Sequence, residues 1–237
     1  MGPSSDLDRR IAGIAALDQP LRRELYRLLS AADGWTTRDE AAAALGVPRS
    51  VAAFHLDKLA EAGVVEVGFA RTSGRQGPGA GRPSKLYRPA QGEVAASVPD
   101  RHYDLAGALL ATAIVESTRT GTPVEDCLRA AAQAAGRTIG AEAQAAVDAV
   151  PPDEEPRAAV VDVLAQHGYE PEDGDGGEIA LANCPFHRLA EQHRALVCGM
   201  NLDFLGGLLE GMGPDESLAA RLDPAPGYCC VRISAPG

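Results

Sequence analysis

Aromatic residues are scarce in this sequence, making up 4% of its 237 residues. A core without them must rest on Ala, Leu and Val, and that composition favours helix over sheet. Long apolar runs are lacking too: no stretch approaches the roughly 20 apolar residues that span a bilayer. The opening "MGPSSDLDRR" has neither the apolar run of a signal peptide nor the extended basic region of a transit peptide. Both absences point away from membrane and secretion, so the expected location is the cytoplasm. Cysteines are few and odd in number, five in all, which speaks against a disulfide framework and for reduced thiols. There is no internal repeat.

What is present reads as a soluble globular chain, 45% apolar and 23% charged. Its length suits two ordinary domains better than one large core. The net charge of −11 conceals a division. Residues 1–92 carry 13 Lys/Arg against 10 Asp/Glu, whereas residues 93–237 carry 9 against 23. From Arg71 to Arg88 there are five basic residues (Arg71, Arg75, Arg82, Lys85, Arg88) and no acid. A basic segment on an acidic protein points to an anionic partner for that segment alone.

Apolar spacing predicts helices over 9–17 and 20–32, with Pro20 suited to a first helical position. Thr37 followed by Glu40 predicts a capping box, and Gly46 is placed to end that helix. A second short helix is expected over Pro48–Ala62, so the two form either a helix-turn-helix or a plain helical hairpin. The β-branched "VVEVGFA" (Val64–Ala70) and "KLYRPA" (Lys85–Ala90) predict strands. They flank the Gly/Pro-rich, basic "RTSGRQGPGAGRPS". Three helices followed by a two-stranded hairpin with a basic tip make a winged helix, whose tip meets phosphates or a minor groove.

"SVAAFHLDKLAEAGVV" resembles the recognition helix of winged-helix regulators in the ArsR superfamily, through His55, Leu56, Leu59, Gly63, Val64 and Val65. The wing "GRPSKLYRP" is similar to a Gly-Arg-Pro-x-x-x-Tyr element of the subgroup that includes the SufR-like repressors of iron–sulfur cluster assembly. The resemblance covers about residues 10–90. It agrees with a winged helix-turn-helix over 1–92 and implies a DNA-binding regulator with double-stranded DNA as partner; if the helices after Arg101 form a homodimer, the operator should be an inverted repeat. Arg49 and Ser50 open the recognition helix and are candidates for bases or phosphates. Lys58, Arg71, Arg75, Arg82 and Lys85 are further DNA-binding candidates, and His55 serves either helix packing or the groove.

After a linker (91–100), helices are expected over Arg101–Thr118, from Thr122, and over "RAAVVDVLAQHG". The first should turn Ala106, Leu110, Ala113 and Ile114 to one side. Ala-rich amphipathic helices of this kind commonly carry a dimer contact, so 93–168 is expected to be a linker and helical dimerisation region. From Tyr169 the pattern is α+β, with strands at Glu178–Ala182 and Tyr228–Ser234 and helices at Pro185–His193 and about Val197–Met212. The fold class is mainly α, with a C-terminal α+β sensor domain over 169–237. Gly206 and Gly207 interrupt a helix interior at about 1 kcal/mol each against Ala, which close helix packing or a neighbouring ligand explains.

Four of the five cysteines fall in this last quarter. Cys184 precedes Pro185 and is expected at an N-cap, where the helix dipole favours thiolate. Cys198 starts the next helix. On the final strand, alternation turns Cys229 inward with Val231 and Ile233, and Cys230 outward. Three thiols on a helix start, a second helix and a strand suit an iron–sulfur cluster, or zinc as the alternative. The SufR-like resemblance implies that Cys184, Cys198 and one of Cys229 and Cys230 are cluster ligands. His187, one turn from Cys184, and Cys230 are the candidates for a fourth. Buried structural thiols and a switching disulfide remain the other readings. His193 projects among apolar neighbours as a core histidine, and Cys127 is taken as core.

The leading expectation is therefore a dimeric DNA-binding transcription regulator with a Cys-ligated sensing site. A regulator with a pocket for a small organic ligand and structural cysteines is the alternative. An enzyme with Cys184 as nucleophile is the reading from another class. It has His187 nearby but no nucleophile elbow or Gly-rich phosphate loop, and the chain is not expected to be an enzyme.

Overall fold

Pro20 opens a helix, and Gln19 caps it by accepting a hydrogen bond from the Arg22 amide at 2.8 Å. The computed structural model describes residues 6–70, 83–148, 156–213 and 218–235. Within it, α1 (Asp6–Ala16) precedes this α2 (Pro20–Ala31), which buries Leu25 and Leu29. A two-residue strand that the sequence did not announce, β1 (Thr36–Thr37), leads into α3 (Arg38–Leu45). The capping box is complete: Thr37 Oγ1 accepts from the Glu40 amide at 3.1 Å, and Glu40 Oε2 accepts from the Thr37 amide at 2.8 Å. Gly46 ends the helix at φ 64°, a left-handed conformation that glycine adopts without penalty.

The tight turn leads into α4 (Arg49–Glu61), then β2 (Val65–Ala70) and β3 (Ser84–Pro89). The sheet is antiparallel in the order β1-β3-β2, with Thr37 opposite Leu86 and Val67 opposite Tyr87. Leu25, Leu29, Leu56, Leu59, Val65 and Tyr87 form its core. This is a winged helix. Arg71, Arg75 and Arg82, expected in the wing, lie outside the described residues.

The chain divides into two compact units, Met1–Ala96 and Ser97–Gly237. The second holds α5 (Tyr103–Thr120), α6 (Val124–Asp148), α7 (Pro156–Gln166), α8 (His187–Gln192) and α9 (Arg194–Met212). Its antiparallel sheet runs β4-β5-β7-β6, from β4 (Pro171–Asp173), β5 (Ile179–Leu181), β6 (Ala219–Leu222) and β7 (Val231–Ser234). β4 and β6 are absent from the sequence reading.

The boundary drawn at 168/169 is not a boundary in the packing. Ala106, Leu109, Leu128 and Ala132 of α5 and α6 share one core with Tyr169, Phe186, Phe204 and Ile233. The join is a glycine seam between α6 and α9. A Cβ on Gly136 would sit 2.1 Å from the Phe204 carbonyl oxygen, and one on Gly207 would sit 2.3 Å from that of Gln133. Close packing therefore explains Gly207, while Gly206 has nothing within 4 Å.

On α5 the inward side is Ala106, Leu109 and Ala113, and Ile114 is exposed. Leu110, expected on this side, is partly buried against the same core, whereas Ile114 was misplaced. α9 also departs from the expectation that no run could span a bilayer. By length and composition it is apolar enough to do so, yet it buries Val197, Phe204, Leu205 and Leu208 in this core.

Candidate functional site

The outer surface of α4 follows from its packing. Ala52, Leu56 and Leu59 are fully buried, so Ser50, Phe54 and Lys58, spaced four apart, share the opposite, exposed face. The polar groups around this face are held by partners. Arg49 pairs with Asp39 at the start of α3, and Lys58 pairs with Glu61 at 2.5 Å. Lys85 of β3 bonds Asp57, which also accepts from the Tyr87 hydroxyl at 2.8 Å. Arg88 lies 4.5 Å above the Trp35 ring and pairs with Glu66 at 2.8 Å. A cleft of about 540 Å³ opens between these parts, lined by Thr37, Arg38, Asp39, Arg49, Phe69, Pro83, Ser84 and Lys85. Of its three cations, Arg49 is paired with Asp39 and Lys85 with Asp57.

His55 is half-buried, with its Nδ1 buried and lacking a hydrogen-bond partner. Burial, then the charge of Arg22, holds its pKa below the usual histidine value. The buried Nδ1 edge of the ring lies against the helix packing.

The second cluster is built on backbone pairing. Cys229 donates its amide to Leu181 O at 2.8 Å, and Asn183 donates its amide to Tyr169 O at 3.0 Å. These bonds set the segments carrying Cys229 and Cys184 beside β5. Arg101 fixes the turn further: one guanidinium nitrogen donates to Cys184 O at 3.2 Å and also to the Asn183 side chain. Asn183 in turn donates to Asp100 O and Gly168 O at 3.0 and 2.5 Å.

All four cysteines of this quarter are buried in the same core. Cys198 and Cys230, 32 residues apart, form a disulfide with Cα atoms 6.2 Å apart. Cys184 and Cys229 are free thiols in hydrogen-bond contact. The Cys229 hydrogen bond, the Phe186 amide and the Arg101 charge outweigh burial and hold Cys184 below the usual thiol range. The same contact, with burial, pushes the Cys229 thiol up. Asn201, fully buried, donates to Cys229 Sγ at 3.2 Å and accepts from the Tyr169 hydroxyl at 2.5 Å. Sequence reasoning missed Asn201, Tyr169 and Arg101; a polar residue, Asn201, inside the largely apolar "VCGMNLDFL" was the available signal.

Residues 17–68 match the family model described as a helix-turn-helix domain. This segment is a helix-turn-helix domain. It takes in α2, α3, α4 and the start of β2, and regulators of transcription use such a domain to bind DNA. No curated protein matches the chain. Arg49 and Ser50 stand at the start of α4, the second of the two helices joined by the turn, with Lys58 two turns on. Phe54, between them, was not among the expected contacts.

Several cysteine-site expectations need correction. Cys184 is not an N-cap: α8 begins at His187, with Phe186 at the N-cap position and no side-chain capping bond. Cys230 faces inward rather than outward, because β7 begins only at Val231 and strand alternation does not reach back to it. His187 is exposed, 3.4 Å from Glu191. His193 is exposed as well; it is the break between α8 and α9, so one helical projection does not run through it. Cys127 is buried in the core. Among the described residues no three His, Cys, Asp or Glu side chains stand grouped as metal ligands.

Proposed function

We propose that the protein is a homodimeric winged-helix transcription regulator of the SufR-like kind, whose second unit senses redox state or a soft metal through Cys184, Cys198, Cys229 and Cys230. One observation supports the sensing part: four buried cysteines paired two by two, one pair joined as a disulfide and the other as free thiols in contact. A merely structural cysteine has no need of a buried amide donor such as Asn201. The dimer reading draws support from α5, where Ile114 and Val115 are exposed.

By donor type alone, cysteine sulfurs with an N–H donor on one of them suit a soft metal ion or an iron–sulfur cluster, although no three of them stand grouped as ligands among the described residues. Cys198 and Cys230 can ligate only after the bond between them is reduced. Cys184 and Cys229, joined then by Cys198 and Cys230, would hold the group. When bound, it supplies an oxidant-sensitive crosslink. Arg101 and Asn183 orient the Cys184 turn, and Asn201 orients Cys229. The state of this cluster sets the spacing of the two recognition helices on an inverted repeat, with half-site centres about 34–36 Å apart or a multiple.

The disulfide favours a second reading, a thiol switch without metal. Closing it passes two electrons and two protons from Cys198 and Cys230 to an oxidant such as a peroxide. Anaerobic purification with reductant, then iron, sulfide and zinc measured per chain, separates the two. Bound metal or brown colour supports the cluster. No metal, but DNA affinity that changes on oxidation, supports the switch. Neither result leaves the small-ligand regulator.

A further inference from the structure

The chain has four phenylalanines, and its two units treat them oppositely. Phe186 and Phe204 are buried in the core of the second unit, whereas Phe54 and Phe69, in the first, are 57% and 69% exposed. Phe54 stands at the centre of the outer face of α4, one turn after Ser50 and one turn before Lys58. Its ring meets the His55 ring edge-on at 5.1 Å, and because His55 leans into the packing, Phe54 has a fixed neighbour on one side. Meanwhile Arg49, Asp57, Lys58 and Glu61 are engaged in ion pairs. On this face Phe54 is the large side chain committed to no polar partner.

We propose that Phe54 is a specificity-determining residue of the recognition helix, and that it reads the C5-methyl group of a thymine in the major groove. The inference rests on the DNA-binding reading of the helix-turn-helix domain and deepens it. A recognition helix lying in the major groove presents the middle of its outer face to base edges rather than to the phosphates at the rims. A phenyl ring offers those edges no hydrogen bond. Of the groups they display, the thymine methyl is the apolar one. Contact with it separates thymine from cytosine, adenine and guanine without a charged side chain, and so suits a helix whose charges are already paired.

The test begins with selection of bound sequences from a random duplex pool by the full-length, reduced protein. Each thymine of the selected site is then replaced by deoxyuracil, which removes only the methyl group. At one thymine per half-site the replacement should weaken binding about fourfold, the worth of one buried methyl-sized group. With Phe54→Ala the replacement should no longer matter, and selection should lose that thymine. The slope of log K against log salt should be unchanged, since no phosphate contact is lost. Phe54→Leu should retain part of the preference.

Equal methyl effects in wild type and Phe54→Ala would overturn the proposal. So would unchanged selection by Phe54→Ala accompanied by a change in oligomeric mass, which would place the ring in a protein contact. If wild type binds all duplexes alike, the reading role falls while DNA binding stands. If it binds no duplex at all, the DNA-binding reading falls with it.

Discussion

Tyr87, buried in the middle strand of the wing sheet, donates its hydroxyl hydrogen to Asp57 of the recognition helix at 2.8 Å. Lys85, two residues earlier on the strand, bonds the same carboxylate oxygen. The strand thereby fixes the helix that carries Phe54. Tyr87→Phe should cost about 1–2 kcal/mol, the worth of a hydrogen bond to a charged group discounted for Asp57's partial exposure. The single tryptophan, Trp35, lies in this unit, so its fluorescence during urea unfolding of the full chain reads the change.

The same carboxylate gives the first unit a pH dependence. Burial alone would raise its pKa, but the hydrogen bonds from Lys85 and Tyr87 and the charges of Lys85 and Arg38 outweigh it and leave the pKa lowered. A folded-state pKa below the unfolded one contributes stability that is fully present above the unfolded value, about 4, and is lost as pH falls through the folded value. Midpoints from Trp35 should therefore hold from pH 7 to 5 and fall below about pH 4. Asp57→Asn should be less stable at pH 7 and show a shallower acid limb. Parallel acid limbs for the two proteins would show that Asp57 does not contribute.

Arg49 is paired with Asp39, both on the surface. Asp39→Asn frees the guanidinium for a phosphate. Affinity for every duplex should rise alike, and the salt slope should steepen by about 0.9 for each phosphate gained. A salt titration that leaves the slope unchanged would place Arg49 away from the backbone.

Two neighbouring glycines of α9 should respond in opposite directions. At Gly207 an added Cβ would meet the Gln133 backbone, which cannot move without parting α6 from α9, so Gly207→Ala should destabilise by about 1–3 kcal/mol or more. Gly206 has nothing within 4 Å, and Gly206→Ala should stabilise by about 0.5–1 kcal/mol. Unfolding followed by helical circular dichroism compares them directly.

For the cysteines, alkylation of unfolded, unreduced protein should find three free thiols, Cys127, Cys184 and Cys229, and reduction should expose all five. After anaerobic reconstitution, Cys→Ser at 184, 198, 229 or 230 should lose most bound metal. Cys127→Ser and His187→Ala should lose little. A large loss with His187→Ala would bring that exposed side chain into the site.

The sequence by itself determined the elements whose causes lie within a few residues. The Thr37–Glu40 capping box, Pro20 ahead of its helix and Gly46 after another are such causes, and the winged-helix order followed from them. It also showed the gathering of four cysteines in one quarter of the chain. The tertiary structure alone decided which of these side chains meet. Nothing near Cys198 names Cys230 rather than Cys229 as its partner, and nothing near Lys85 names Asp57. Nor does local sequence separate Gly206 from Gly207, or bring α5 and α6 into the core of the α+β segment. Local backbone preferences act over one or two turns, whereas these pairings depend on how apolar stripes far apart in the chain pack together. The final strand begins at Val231, three residues later than expected, so strand alternation does not reach Cys230 and it lies in the core.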